Sequence, residues 1–179
     1  MSEIPIGPLS VDANGNVGIG TTTPSAKLNV VGDVAIQGSL IKKVYVATGL
    51  GPDDQTDNGQ VVSRVLAMKK NYNDTAIRIT YCDNFRVYGH NVAARWEVRV
   101  DGQTIPGGAL VYDRYAAQTS GSWTNNHYFS TLFGFAQGIN AGNHQIQVWV
   151  SNSPGYGVCD AWTGWTNSRW TIEAQEVWL

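Results

Sequence analysis

The side chains best suited to chemistry are three histidines, two cysteines and a few acidic pairs. His90, His127 and His144 have no metal-type spacing, and no Cys-x-x-Cys or Cys/His cluster points to zinc. His144 shares strand parity with Ile146 and Val148, which predicts a hydrogen-bonded structural histidine. Asp53-Asp54 and Glu173 with Glu176 could be read as glycosidase carboxylates. Asp53-Asp54, however, sits in a Gly/Asp/Asn loop and reads as a solvated turn. Glu173 falls on the outward face of a strand. There is no nucleophile elbow, phosphate loop or HExxH helix. Gly18-Ile19-Gly20 mimics the start of a dinucleotide fingerprint, but no third glycine opens a helix and Pro24 follows. The sequence therefore predicts no enzyme, no cofactor and no metal site.

Binding chemistry has a better case. The stretch from Tyr156 to Asn167 sets Tyr156, Trp162 and Trp165 among glycines, beside Asp160 and Asn167. Such a loop suits a sugar, because ring faces stack on C–H groups while amides and carboxylates hydrogen-bond hydroxyls. A second candidate is Tyr112-Asp113-Arg114-Tyr115 with residues 123–128, where Trp123 and Asn125 are the expected contacts. Both stretches carry more Trp and Tyr than simple connections need. The alternative is that these rings pack under the loops or at an oligomer axis. Trp149 shares a face with Gln145 and Gln147, opposite Ile146, Val148 and Val150, and is expected at an interface.

Composition sets the class of scaffold. Charged residues are only 15% of the 179, with 20 glycines and 42% hydrophobic residues. Helical surfaces usually carry Glu and Lys, so their scarcity favours strands joined by turns. Net charge is −2 and no basic stripe is visible, which argues against nucleic acid or an anionic membrane as partner. No apolar run approaches a membrane span. Residues 1–8 lack the basic and apolar regions of a signal peptide, so export is expected by another route, by lysis, or by cutting from a longer parent. Cys82 and Cys159 could pair if the fold brings them together. Two buried free thiols are the equal alternative.

Two regions follow along the chain. In residues 1–42, Asn14-Gly15 signals a hairpin turn, since both positions tolerate positive φ. Val17, Ile19, Leu28, Val30, Val34, Ile36 and Leu40 then form one thin apolar line between glycines. So few apolar side chains cannot make a core in one chain, and a threefold bundle would face them inward. Residues 43–179 read as one β domain. Residues 43–47, 76–81, 95–100, 144–150 and 170–175 are predicted strands. Trp96, Val98 and Val100 should face inward while Arg95, Glu97 and Arg99 face water. Residues 61–69 lack clean alternation, as expected of a strand buried on both faces. Asp101-Gly102 and residues 138–142 are predicted turns. Repeated strands with polar turns imply a sandwich or jelly roll.

Two resemblances accompany this reading. Residues 14–32, with Gly18-Ile19-Gly20-Thr21, Pro24-Ser25-Ala26-Lys27-Leu28 and Val31-Gly32, resemble a repeat of bacteriophage tail fibres and related surface fibres. Trp96 to Gly102, Leu132-Phe133-Gly134 and Ala141 to Val148 resemble the C1q/TNF-like trimeric heads of bacterial and viral fibres. Together they imply an all-β protein: a ten-stranded jelly-roll head at 43–179, packed as a homotrimer, on a short β-repeat stalk at 1–42. The implied function is the non-enzymatic, receptor-binding tip of a phage or phage-like tail fibre, extracellular on the particle. Its partner would be a cell-surface polysaccharide or glycan; the aromatic placement above, rather than the family, puts the contacts at Tyr156, Asp160, Trp162, Trp165 and Asn167, then Trp123 and Asn125. A free-standing bacterial lectin or adhesin, or a purely structural fibre cap, stays open at this point.

Overall fold

The computed structural model describes residues 9–32, 34, 43–51, 53–117 and 123–179; the apolar positions Ile36 and Leu40 lie outside them. The described residues form strands and turns without a helix, so the protein is all-β, as the sequence predicts. The chain divides into two compact units, Met1–Leu40 and Ile41–Leu179.

In the first unit, β1 (Leu9–Val11) pairs antiparallel with β2 (Val17–Ile19), and β2 pairs parallel with β3 (Leu28–Val30). The β1–β2 turn differs from the expected one. Only Gly15 takes a positive φ, and its N–H donates to the Asp12 carbonyl at 3.0 Å. The Asp12 carboxylate accepts the amides of Asn14 and Asn16 at 2.8 and 2.9 Å. These bonds, that of Asn16 foremost, hold the carboxyl below its ordinary pKa. Asp12 rather than Asn14 therefore organises the turn. The glycines of the following motif have a steric reason: a Cβ on Gly18 would collide with the Thr21 carbonyl and the Ser10 hydroxyl. Leu9, Val11, Ile19 and Leu28 are exposed in the single chain, since three short strands supply no second layer to cover them.

The second unit is a sandwich of two five-stranded sheets. Its ten strands are β4 (Val44–Leu50), β5 (Gly59–Lys70), β6 (Ala76–Gly89), β7 (Val92–Val100), β8 (Gln103–Thr104), β9 (Leu110–Ala116), β10 (Thr124–Ala136), β11 (Gly142–Asn152), β12 (Asp160–Thr163) and β13 (Arg169–Val177). One sheet runs β10-β6-β13-β4, with β12 beside the far half of β6. The other runs β5-β11-β7-β8, with β9 also on β7. Every pairing in both is antiparallel, and neighbours are mostly distant in sequence, the mark of a jelly roll.

The core fills the space between the sheets. Ile77, Ile79, Tyr81, Phe85 and Val87 of β6 meet Trp96 and Val98 of β7, Ile146 and Val148 of β11, and Ile172 of β13, all fully buried. Each such side chain contributes about 1.5–3 kcal/mol on leaving water. The expected inward face of residues 95–100 is thus observed, and Ile146, Val148 and Val150 share one buried face as expected. Glu97 lies on the outward side but is covered: its carboxylate takes Arg99 Nε at 2.8 Å and the Thr104 hydroxyl at 2.6 Å. The β5 prediction needs correction as well. The strand is not buried on both faces, since Val62, Ala67 and Lys69 are exposed. Alternation fails because an irregularity opposite Gln147 and Trp149 moves the inward set from Val61 to Arg64, Leu66 and Met68.

That shift places a charge inside. Arg64 Nε donates to Asp83 Oδ2 at 2.9 Å with both side chains fully buried, and the Tyr81 hydroxyl donates to the same oxygen at 2.7 Å. Burial first, then the Asp83 charge, raises the Tyr81 pKa well above its ordinary value. Asp101 and Gly102 form the predicted turn, both at positive φ. The His144 expectation also stands: Nδ1 lies 2.7 Å from Asp101 Oδ2 and Nε2 lies 2.9 Å from the Asn140 carbonyl.

Cys82 and Cys159 are free thiols. Strand register explains why. Asp160 pairs with Tyr88, six residues from Cys82 along β6, which is about 20 Å at ~3.3 Å per residue and beyond disulfide reach.

A cleft and a stacked face beside strand β12

The candidate site is built on the last turn-ward residues of β6. Phe85 and Val87 point into the core, so Arg86 and Tyr88 emerge on the outer face. Register sets their neighbours: Asn125 and Asp160 flank Tyr88, while His127 and Trp162 flank Arg86. The two aromatic stretches that the sequence offered as separate candidates therefore meet across one strand. Trp162 is in β12 rather than in a loop, contrary to expectation.

Three aspartates fix β12 and the turn after it. Asp57 Oδ1 accepts the Ala161 amide at 2.6 Å, Asp54 exchanges two backbone bonds with Thr163, and Asp53 Oδ1 accepts the Thr166 amide at 2.6 Å. Asp53-Asp54 is thus a clamp rather than a solvated turn. On the inner side, the Trp96 indole N–H donates to the Thr163 hydroxyl at 2.6 Å.

Arg86 is the centre of the outer face. Its side chain is 8% exposed; Nη1 donates to Asp160 Oδ1 at 3.0 Å, and Nε donates to Asn125 Oδ1 at 2.5 Å. The guanidinium carbon sits 4.3 Å from the Trp162 ring centroid and 5.1 Å from that of Tyr88. Trp123 stacks on Tyr88 with centroids 5.2 Å apart and planes 28° apart. On the other side, His127 lies 3.8 Å from Trp165 and edge-on to Trp162. Planar groups thus run in contact from Trp165 to Trp123. Burial lowers the His127 pKa, with Arg86 and Arg114 acting the same way and Asp53 opposing.

Next to the Trp123–Tyr88 pair is an open cleft of about 780 Å³, lined by Asp57, Tyr88, His90, Trp123, Val158 and Asp160 among others. Trp123 is 61% exposed. Of the residues expected to bind, Trp123 and Asp160 line the cleft, and Asn125 and Trp162 sit beside it around Arg86. Trp165 is exposed at the far end of the stack, and Asn167 is exposed in the following turn. Tyr156 is drawn elsewhere: its ring packs on Tyr115 of β9, in the opposite sheet, at 5.3 Å. Sequence reasoning missed Arg86, Tyr88, His90 and Asp57, and held His127 only as part of the 123–128 stretch. Continuing the β6 alternation past Tyr81 would have placed Arg86 and Tyr88 outward. Among the described residues, no group of three or more His, Cys, Asp or Glu side chains is placed to hold a metal ion.

The same sheet presents a second feature. Phe129, Phe133 and Phe135 of β10 and Val44, Val46 and Leu50 of β4 are all exposed. Register puts them on the outer side, around the Arg78–Glu173 ion pair at 3.0 Å. A patch of this kind marks an interaction surface. Trp149 is not part of it: it lies on the outer face of the other sheet, with Arg99 4.5 Å above its ring. Among the described residues no helix is long and apolar enough to cross a membrane.

Two solved structures are similar. The structure of the infectious bursal disease virus Gt strain matches at 11% identity and TM-score 0.34, covering 83% of this chain and 43% of that one. The chain therefore spans less than half the length of that protein. The tripod (BppUct-A-L) from the baseplate of bacteriophage Tuc2009 matches at 16% identity and TM-score 0.29, covering 88% of this chain and 79% of that one. The segment at 14–32 lies outside the family match, which spans residues 50–172 and so most of the sandwich. That match is to the family described as CTHRC1, C-terminal domain, a domain of C1q-like jelly-roll type, and the chain belongs to this family.

Proposed function

We propose that the protein is the non-enzymatic, homotrimeric binding head of a phage or phage-like tail fibre, attaching the particle to cell-surface glycans. The observation that carries this reading is the open cleft in which the Trp123–Tyr88 pair stands beside the Asp160 carboxylate. A pyranose offers a flat C–H face and a rim of hydroxyls. An exposed indole takes the first, and a carboxylate and an amide take the second. Preorganisation supports the reading too, because Arg86 already holds Asp160 and Asn125 in place, which lowers the entropy cost of binding. Homotrimer formation would cover the apolar face of β10 and β4. Three clefts on one rigid head then turn weak single contacts into avidity on a surface with repeated glycans.

The test is a glycan array probed with the purified protein. Binding to surface polysaccharides should disappear in Trp123→Ala while sedimentation stays unchanged. A trimer that binds no glycan on the array overturns the proposal.

A further inference from the structure

Resting on the glycan-binding reading above, we infer that the sugar taken by this cleft carries no carboxylate, sulfate or phosphate, and that acidic sugars are selected against. The ionisable side chains lining the cleft are two carboxylates, Asp57 and Asp160, one imidazole, His90, the Tyr88 phenol and the Cys159 thiol. Each carboxylate spends one oxygen inside the protein: Asp57 Oδ1 on the Ala161 amide and Asp160 Oδ1 on Arg86. The second oxygen of each has no partner among the described residues, and both side chains are solvent-accessible. An ionised carboxylate only accepts hydrogen bonds, so its ligand partner must be a donor, such as a hydroxyl or an ammonium.

The nearest cation does not change this balance. Arg86 is buried beside the cleft rather than lining it, and its guanidinium is committed to Asn125, Asp160 and the Tyr88 and Trp162 rings. Among the described residues no Lys or Arg lines the cleft. An anionic sugar would lose hydration and meet the Asp57 and Asp160 carboxylates, while the one guanidinium beside them is already paired with Asp160. A penalty of about tenfold or more in affinity follows from charges a few ångströms apart at a protein surface. Neutral sugars carry no such penalty. Their hydroxyls supply the donors that the free oxygens need, and their ring faces suit Trp123.

The experiment compares matched pairs on the intact trimer: lactose with sialyllactose, and each neutral glycan that binds on the array with the same glycan oxidised to a uronic acid. Calorimetry should show the neutral member of each pair binding at least about tenfold more tightly. In Asp57→Asn and Asp160→Asn, which keep an oxygen for Ala161 and Arg86, the acidic member should gain about tenfold. Raising salt on the unmodified protein should narrow the ratio, because exposed charges are screened; this arm needs no variant to fold. Acidic members that bind as well as neutral ones, or a ratio indifferent to both salt and the Asn variants, overturn the inference and leave glycan binding standing. A trimer that binds no sugar of either kind instead overturns the glycan-binding reading, and this inference with it.

Discussion

The indole N–H of Trp96 donates to the hydroxyl of Thr163 at 2.6 Å, joining the centre of the core to the short strand that carries Asp160 and Trp162. Both residues are fully buried. Core and candidate site are thus linked by one hydrogen bond, and the strand is too short to hold its place by backbone pairing alone. Thr163→Val keeps the shape and removes the acceptor. The orphaned indole should cost about 1–3 kcal/mol, read as a lower melting temperature. Glycan affinity should fall with it, because β12 loosens. Unchanged stability would mean that another acceptor reaches Trp96.

The two tryptophans of the site should separate cleanly. Trp123 is exposed and, among the described residues, stacks on Tyr88 alone, whereas Trp162 is half-buried under Arg86. Trp123→Ala should remove binding with a stability change within about 0.5 kcal/mol. Trp162→Ala should cost about 2 kcal/mol, since it deletes a desolvated cation–π contact along with its packing. Thermal melts of the two variants, beside binding of wild-type protein, decide it. Equal destabilisation would mean that the Trp123 ring is structural.

Much of the fold is legible in the sequence because strand parity is a local property. Trp96, Val98 and Val100 declare their face without help from the rest of the chain. Arg64 does not: it looks like a surface residue until a bulge moves it inward against Asp83 of β6 in the opposite sheet. The site was legible in part for a related reason. Asp160, Trp162, Trp123 and Asn125 stand out by residue type, but their common neighbour Arg86 is identified only by register between strands distant in sequence. Tyr156 shows the converse. Its type matches the loop chemistry, yet the parallel bridge between Val92 and Gly157 carries that part of the loop to the other sheet, where its ring meets Tyr115.

The thiols should behave unequally. Cys159 is buried, and burial first, then Asp57 and Asp160, pushes its pKa up to about 11. A thiol held protonated is a poor nucleophile. Cys82 is half-exposed, with Sγ 3.2 Å from the Thr131 hydroxyl. Cys82 pairs with Thr131, between Phe129 and Phe133, where a trimer would cover it, so iodoacetamide at neutral pH should label Cys82 in a monomeric head and leave Cys159 untouched. Both should be labelled after unfolding without reductant. A mass showing fewer than two labels in the unfolded, unreduced protein would mean that a bridge exists after all.

Acid should weaken the fold through Glu176. Burial alone would raise its pKa, but the Thr75 hydroxyl and the amides of Asn71 and Tyr72 outweigh that and hold it below its ordinary value of 4.5. Asp113 is lowered too, chiefly by Arg95. A carboxyl whose folded pKa is depressed stabilises fully above its unfolded value and loses that contribution as pH falls through the folded one. Melting temperature should therefore hold from pH 7 to about 5 and drop below about 4. Glu176→Gln should cost about 2 kcal/mol at neutral pH and much less near pH 3, where the native carboxyl is itself protonated. A gap that does not shrink with acid would mean that the bonds, and not the charge, carry the effect.

Assembly offers the last test, because it separates the two units. The apolar side chains of the N-terminal strands are exposed in one chain, and so are Phe129, Phe133, Phe135, Val44 and Val46 on the head. If three copies cover both surfaces, the head alone still keeps one of them to bury. Deleting residues 1–42 should therefore leave a trimer that dissociates at higher concentration than the full chain. Phe133→Asp in the deletion should give monomers, since each copy would bring an unpaired charge to a dry interface. The same substitution in the full chain should loosen the head while the N-terminal strands keep the copies together. Sedimentation equilibrium reads all three. Full-length protein that sediments as a monomer would refute the trimer outright. A Phe133→Asp deletion variant that stays trimeric would move the contact to another face.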